Sequence, residues 1–277
     1  MGQKHTNEST QSSVLSPQSF SGKTVVITGA SSGIGRATAL EFARRGANLV
    51  IAARRAELLE EVARLCRESG VECTTIVADV SSRNDCQRLM DAAGRIDVLV
   101  NNAGFAIFEA IENAKPDDLE AMMGTNYFGA VWCTQAALPA MLARREGTIV
   151  NVASIAGLMG YARMGGYCAT KFAMIGFSEA LRDEVIGRGV RIALVCPGTV
   201  ETNFFEKAER GKMPGASRLI LAIRPERVAK AICASAEDGR YRRVLPIGAA
   251  LFMRLKELSP RLAHLFMRRV SALLEKA

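Results

Sequence analysis

Seven short apolar runs recur along the chain: TVVITG (24–29), NLVIAA (48–53), CTTIVAD (73–79), DVLVNNAG (97–104), GTIVNVAS (147–154), VRIALVCPG (190–198) and YRRVLPIG (241–248). Most are apolar without alternation, as strands buried on both faces must be, and parallel sheets covered by helices are where such strands occur. Between them lie amphipathic patterns of helical period, beginning near Gly33, Ala56, Arg83, Asn126, Gly166 and Pro225. Strand and helix in alternation predict an α/β fold, a doubly wound parallel sheet of about seven strands with helices on both faces. At 277 residues the chain suits a single domain with decorated ends. The expected boundaries are a polar, disordered arm over 1–20, the sheet domain over 21–248 and a basic helical extension over 249–277.

Several chemistries are excluded by what the chain lacks. Its two histidines, His5 and His264, lie in the terminal regions, so a Ser-His-Asp hydrolase or a histidine-ligated metal site has no histidine at its centre. No metal ligand set is expected. The seven cysteines stand apart without a C-x-x-C pair, which suggests a reducing cytoplasm rather than a disulfide framework. With 49% hydrophobic and 23% charged residues, the chain has the balance of a soluble globular protein, and no apolar stretch reads as a transmembrane helix. The net charge of +8 is not gathered into one basic run with interleaved aromatics, so nucleic acid is not an expected partner.

The first run continues as TVVITGASSGIGRATALEFARRG, a strand, a glycine turn and a helix. Glycines at such a turn let the backbone approach a pyrophosphate, and the helix N-terminus offers free N–H groups. A second feature is YCATK, where Lys171 follows Tyr167 by four residues on one helical face within an otherwise apolar segment. Lysine is rarely buried unless it is paired. Taken alone, the glycines could serve a tight turn and the lysine could reach to water.

In combination these motifs resemble the short-chain dehydrogenases/reductases over about residues 23–248, which implies a Rossmann-type fold. The cofactor-binding turn is TGASSGIG, with Gly29, Ser31, Ser32, Gly33, Ile34 and Gly35. The resemblance makes Asp79 and Val80 the adenine-side contact and NNAG, with Asn102, Ala103 and Gly104, the central-strand motif. It makes PGTVET, with Pro197, Gly198, Val200 and Thr202, the nicotinamide-side loop. It maps a catalytic tetrad onto Asn126, Ser154, Tyr167 and Lys171. Tyr167 would exchange the proton, Ser154 would hold the substrate oxygen, and Asn126 would anchor a water in the proton path. Lys171 would bind the nicotinamide ribose and, with the positive nicotinamide ring, lower the tyrosine pKa. The segment between Asp79 and Asn101 is a few residues shorter than is usual in the family, which bears on the third helix.

The resulting expectation is a hydride-transferring oxidoreductase acting on a ketone or secondary alcohol with a nicotinamide cofactor. A reductase of carbon–carbon double bonds in the same family would separate its Tyr and Lys by six residues, whereas three intervene here. A nucleotide-sensing regulator would be free to lose tetrad members, and all four are present.

At the end of the second run, Ala53 stands where an NAD enzyme carries an acid, and Arg54 and Arg55 follow. NADP(H) is therefore expected over NAD(H), with Arg54 meeting the 2'-phosphate beside the Ser31 or Ser32 hydroxyl. Apolar segments around the expected site (FAIF, 105–108; GLMGYARM, 157–164; and a loop from Asn203 to Ile223 that reads as a lid) predict an apolar substrate. The small residues Ala169, Ala173, Gly176 and Ala180 form a stripe on the YCATK helix, and the resemblance favours a homodimer or homotetramer built there. Pro260 divides the extension into two helical stretches, and the second carries an apolar face with Leu262, Leu265, Phe266, Leu273 and Leu274. Residues 249–277 hold six Lys and Arg against two Glu. Such a tail can lie on an anionic membrane, or pack over the substrate cleft or a neighbouring subunit. The opening MGQKHT fits a myristoylation pattern short enough to be accidental.

Overall fold

Each of the seven apolar runs forms a strand in the computed structural model, which describes residues 19–202, 204, 222–259, 261 and 265. The strands are β1 (Thr24–Thr28), β2 (Asn48–Ala53), β3 (Cys73–Val77), β4 (Val98–Asn101), β5 (Gly147–Val152), β6 (Val190–Pro197) and β7 (Arg242–Leu245). They make one parallel sheet in the order β3-β2-β1-β4-β5-β6-β7. Parallel neighbours need crossovers, which are supplied by α1 (Gly33–Arg44), α2 (Ala56–Arg67), α3 (Arg83–Ala93), α4 (Pro116–Met123), α5 (Gly129–Arg144), α6 (Gly165–Val185) and α7 (Pro225–Asp238). A further helix, α8 (Ile247–Leu258), follows β7.

Both faces are covered over the central strands β1, β2, β4, β5 and β6, which are almost wholly buried, whereas the edge strands β3 (CTTIV) and β7 (RRVL) are only partly buried and carry polar or charged residues. Val25 and Ile27 face a core shared with Phe42 of α1, Leu59 of α2 and Ile232 of α7. Val26 and Leu99 face the other, with Leu89 of α3, Met141 of α5 and Leu181 of α6. Many of these side chains are wholly buried, each contributing roughly 1.5–3 kcal/mol. Strand order reverses direction between β1 and β4, so a crevice opens there at the strands' C-terminal ends, the usual ligand position in this architecture.

Three details depart from the sequence reading. The short segment after Asp79 still forms a full third helix, because Ser82 caps α3 by accepting the Asp85 N–H at 3.3 Å. The helix expected from Asn126 begins at Pro116 and passes through a π-helical turn, Gly124–Phe128, into α5. Phe20, assigned to the arm, is buried edge-to-face on Phe42 at 4.8 Å, and its N–H meets the Arg45 carbonyl. Residues 1–18 of the arm, most of the 203–223 loop and most of the second stretch of the extension lie outside the described residues. Among the described residues no helix is long and apolar enough to cross a membrane.

Candidate active site

The glycine turn after β1 is shaped by two close approaches. Gly29 has a positive φ of 67°, and a Cβ there would stand 2.7 Å from the Ala103 Cα; one at Gly35 would lie 2.2 Å from the Gly29 carbonyl oxygen. Only glycine fits either place. The NNAG motif holds this turn from the neighbouring strand. Asn102 donates its side-chain amide to the Thr28 carbonyl at 2.9 Å, and the N–H groups of Asn102 and Ala103 both meet the Thr28 hydroxyl. Ser32 makes no side-chain cap, so it does not satisfy the first-turn N–H groups at the positive end of α1. Ile34 packs against the core from this turn, and Thr202 lies over Gly33, 3.1 Å from where its Cβ would be.

The basic pair beyond β2 divides its work differently from the expectation. Arg55, not Arg54, reaches the turn, donating to the hydroxyls of Ser31 at 3.1 Å and Ser32 at 3.0 Å. Arg54 is mostly exposed and lies 3.6 Å from the Asp79 carboxylate. Asp79 also accepts the N–H and hydroxyl of Ser81, while Val80 is buried against Gly129.

Asn126, Ser154, Tyr167 and Lys171 converge at the C-terminal ends of β4 and β5. Asn126 is wholly buried inside the π-helical turn. Its Oδ1 accepts the Phe105 N–H at 2.9 Å and its Nδ2 donates to the Phe105 carbonyl and the Thr170 hydroxyl. Ser154 begins a 3-10 turn, accepting the Ala156 N–H at 3.1 Å and donating to the Pro197 carbonyl at 3.3 Å. It is thus a turn former. Lys171 is buried, and its ammonium donates to the Val152 carbonyl at 3.0 Å. Asn126 and Lys171 meet at Gly104, where a Cβ would lie 3.0 Å from the Asn126 Oδ1 and 3.7 Å from the Lys171 Nζ. From the nicotinamide-side loop, Gly198 donates its N–H to the Leu245 carbonyl, and Val200 is buried in a bridge to Ile223.

Tyr167 stands in an apolar cluster with Ala106, Phe108, Met122 and Met164, and the Phe204 ring sits 5.8 Å away. Burial there raises the phenol pKa above its ordinary value, and the opposing pull of the Ser154 hydroxyl does not overcome it. Burial also lowers the Lys171 pKa, to about 8. The expected lowering of the phenol by its lysine is therefore not produced by the protein alone. The ammonium lies 5.8 Å from the ring centroid and is engaged with a carbonyl.

Sequence reasoning missed Thr28 and Thr170, whose hydroxyls fix the NNAG motif and Asn126. Thr170 lies inside YCATK, but nothing local indicates its partner, 44 residues away. Asn151 was also missed. It forms a buried chain with Asn101, the first residue of NNAG, in which the Asn101 side-chain amide meets the Asn151 Oδ1 at 2.9 Å, and the Asn151 amide meets the Ser178 hydroxyl.

A family model described as short chain dehydrogenase matches residues 23–212, and the chain belongs to that family. It is 43% identical over 196 residues to 11-beta-hydroxysteroid dehydrogenase 1A of Arabidopsis thaliana, covering 69% of this chain and 56% of that protein. The chain thus spans little more than half the length of that plant relative. It is 40% identical to the NADP-dependent 3-hydroxy acid dehydrogenase of Schizosaccharomyces pombe, covering 66% of this chain and 73% of the other. A short chain dehydrogenase/reductase from Burkholderia phymatum, solved in complex with NAD, superposes with a TM-score of 0.80 at 30% identity, covering 88% of this chain and 96% of that one.

Proposed function

We propose that the protein is an NADP(H)-dependent oxidoreductase that interconverts an apolar ketone and its secondary alcohol. The observation that carries this reading is the placement of Tyr167, with Ser154 acting on its hydroxyl, in an apolar cluster beside the buried Lys171. The glycine turn fits a dinucleotide, since side chains at Gly29 and Gly35 would fill the cradle that a pyrophosphate needs. Arg55 with Ser31 and Ser32 forms a polar pocket suited to a 2'-phosphate, where Ala53 offers no carboxylate to a ribose hydroxyl. The name of the fission-yeast relative agrees with NADP, whereas the bacterial neighbour was solved with NAD.

The cofactor, when bound, supplies or accepts the hydride. The chain's residues manage the proton and the substrate oxygen. Tyr167, neutral at pH 7 as a tyrosine ordinarily is and held more firmly so by burial, donates its O–H to the oxygen as negative charge develops there. Ser154 gives that oxygen a second hydrogen bond by turning its own O–H from the Pro197 carbonyl. Lys171 carries positive charge at pH 7 and stabilises the phenolate left behind, and Asn126 shapes the path by which the proton is restored.

Phe105, Ile107, Tyr161 and Met164 around Tyr167 favour a lipid-, steroid- or retinoid-like substrate. Self-association through α5 and α6 is supported by the exposed rings of Phe128 and Phe172 and the exposed Ala169, Gly176 and Ala180. Peripheral contact with an anionic membrane is supported by an exposed line on α8, Ile247, Leu251, Leu255 and Leu258, in a basic region.

The test is cofactor oxidation with a panel of aliphatic, steroid, retinoid and sugar ketones, run with NADPH and with NADH. The reading expects turnover of apolar ketones and higher kcat/KM with NADPH. Turnover confined to activated carbon–carbon double bonds, or cofactor binding with no turnover, would overturn it.

A further inference from the structure

The family match ends at residue 212, yet α8, well beyond it, reaches the catalytic serine's turn. Met253 of α8 is buried, and the Lys256 ammonium donates to the Leu158 carbonyl at 2.5 Å. Leu158 closes the turn that Ser154 opens. The Gly157 N–H bonds the Ser154 carbonyl and the Leu158 N–H bonds the Ile155 carbonyl, both at 2.9 Å, while the Ala156 N–H holds the Ser154 hydroxyl. The last carbonyls of such a turn have no partner within it, and an ammonium gives one of them a charge-assisted bond about twice as strong as a neutral one. On its other side the turn is pressed against α6, since a Cβ at Gly157 would stand 2.5 Å from the Lys171 carbonyl oxygen. The turn is therefore gripped between α6, which carries Tyr167 and Lys171, and α8, which carries Lys256.

We propose that Lys256 is a positioning residue for Ser154. By fixing the far end of the turn it holds the serine hydroxyl at the distance from Tyr167 that a shared substrate oxygen requires. A hydroxyl released by even a fraction of an ångström gives a poorer second hydrogen bond in the transition state, while cofactor binding at the glycine turn is untouched. The inference rests on the oxidoreductase reading above and adds to it a residue outside the matched family segment.

The experiment uses the full chain with NADPH and the best ketone of the panel. Lys256→Met should lower kcat roughly tenfold, with the NADPH Kd unchanged and the melting temperature lowered by about a few degrees for the lost bond, and Lys256→Arg should recover most of the loss. In a Ser154→Ala background Lys256→Met should cost nothing further, because the group it positions is gone. Should the methionine variant fold poorly, Lys256→Gln, too short to reach the carbonyl, carries the same comparison. Wild-type kcat in these variants, or an equal loss with and without the Ser154 hydroxyl, overturns the inference alone. A wild-type protein without turnover on any carbonyl brings down the oxidoreductase reading and this inference together.

Discussion

Replacing Lys171 with methionine should make the cofactor-free protein's stability less dependent on pH, and the size of the effect follows from the lysine's burial. Its pKa is lowered from an ordinary 10.5 to about 8, so below pH 8 the folded protein holds a charged group that the unfolded chain accommodates more easily. The difference corresponds to about 3 kcal/mol against folding at pH 7. Between the two pKa values the unfolded chain binds the extra proton, so stability rises with pH across that window. The lysine's cost should be about 2 kcal/mol smaller at pH 9.5 than at pH 7. Methionine is apolar at every pH and keeps most of the stem's packing. Urea denaturation of both proteins at the two pH values, with m-values compared, measures the difference directly. Tyr167, raised by burial in both proteins, cancels from the comparison. A wild-type-minus-variant difference that stays constant across this window would refute the argument, because it would mean that burial does not set the lysine's charge.

Gly35→Ala should abolish NADPH binding and cost about 1–3 kcal/mol of stability, because its Cβ would meet the Gly29 carbonyl at 2.2 Å; calorimetry and a melting curve check both. Arg55→Ala should weaken NADPH binding about 10- to 100-fold, as loss of a charged hydrogen-bonding group does, and leave NADH nearly unchanged. Arg54→Ala should do less, because its side chain is mostly exposed and lies near Asp79; equal effects on both cofactors would reject the phosphate assignment. Leu251→Asp should reduce co-sedimentation with anionic liposomes, and binding to neutral and anionic vesicles alike would argue against an electrostatic contribution.

The sheet was legible in the sequence because burial on both faces leaves strand interiors little choice but apolar residues, as in VVIT of β1 and LVIAA of β2. The glycine turn and YCATK were legible because close backbone approach and a buried charge demand rare residue types at fixed spacing. Other features depend on contacts that no local pattern records. The helix from Pro116 was hidden by Gly124 and Gly129, poor helix formers, and Gly129 is small because Val80 lies against it. Which arginine reaches the serines depends on where β2 ends, since consecutive side chains leave a strand on opposite sides. The phenol's raised pKa arises from an apolar cluster gathered from four separate segments. Lys256 meets a carbonyl 98 residues away, and its own neighbourhood looks like any amphipathic helix.

In the proposed mechanism Tyr167 gives and takes the proton while the rest of the site binds cofactor and substrate. The decisive measurement is of kcat and the NADPH Kd for Tyr167→Phe, which removes one hydroxyl from a buried ring. The fall in kcat should be at least about a hundredfold, with the Kd nearly unchanged. Near-normal kcat in the phenylalanine variant would contradict it.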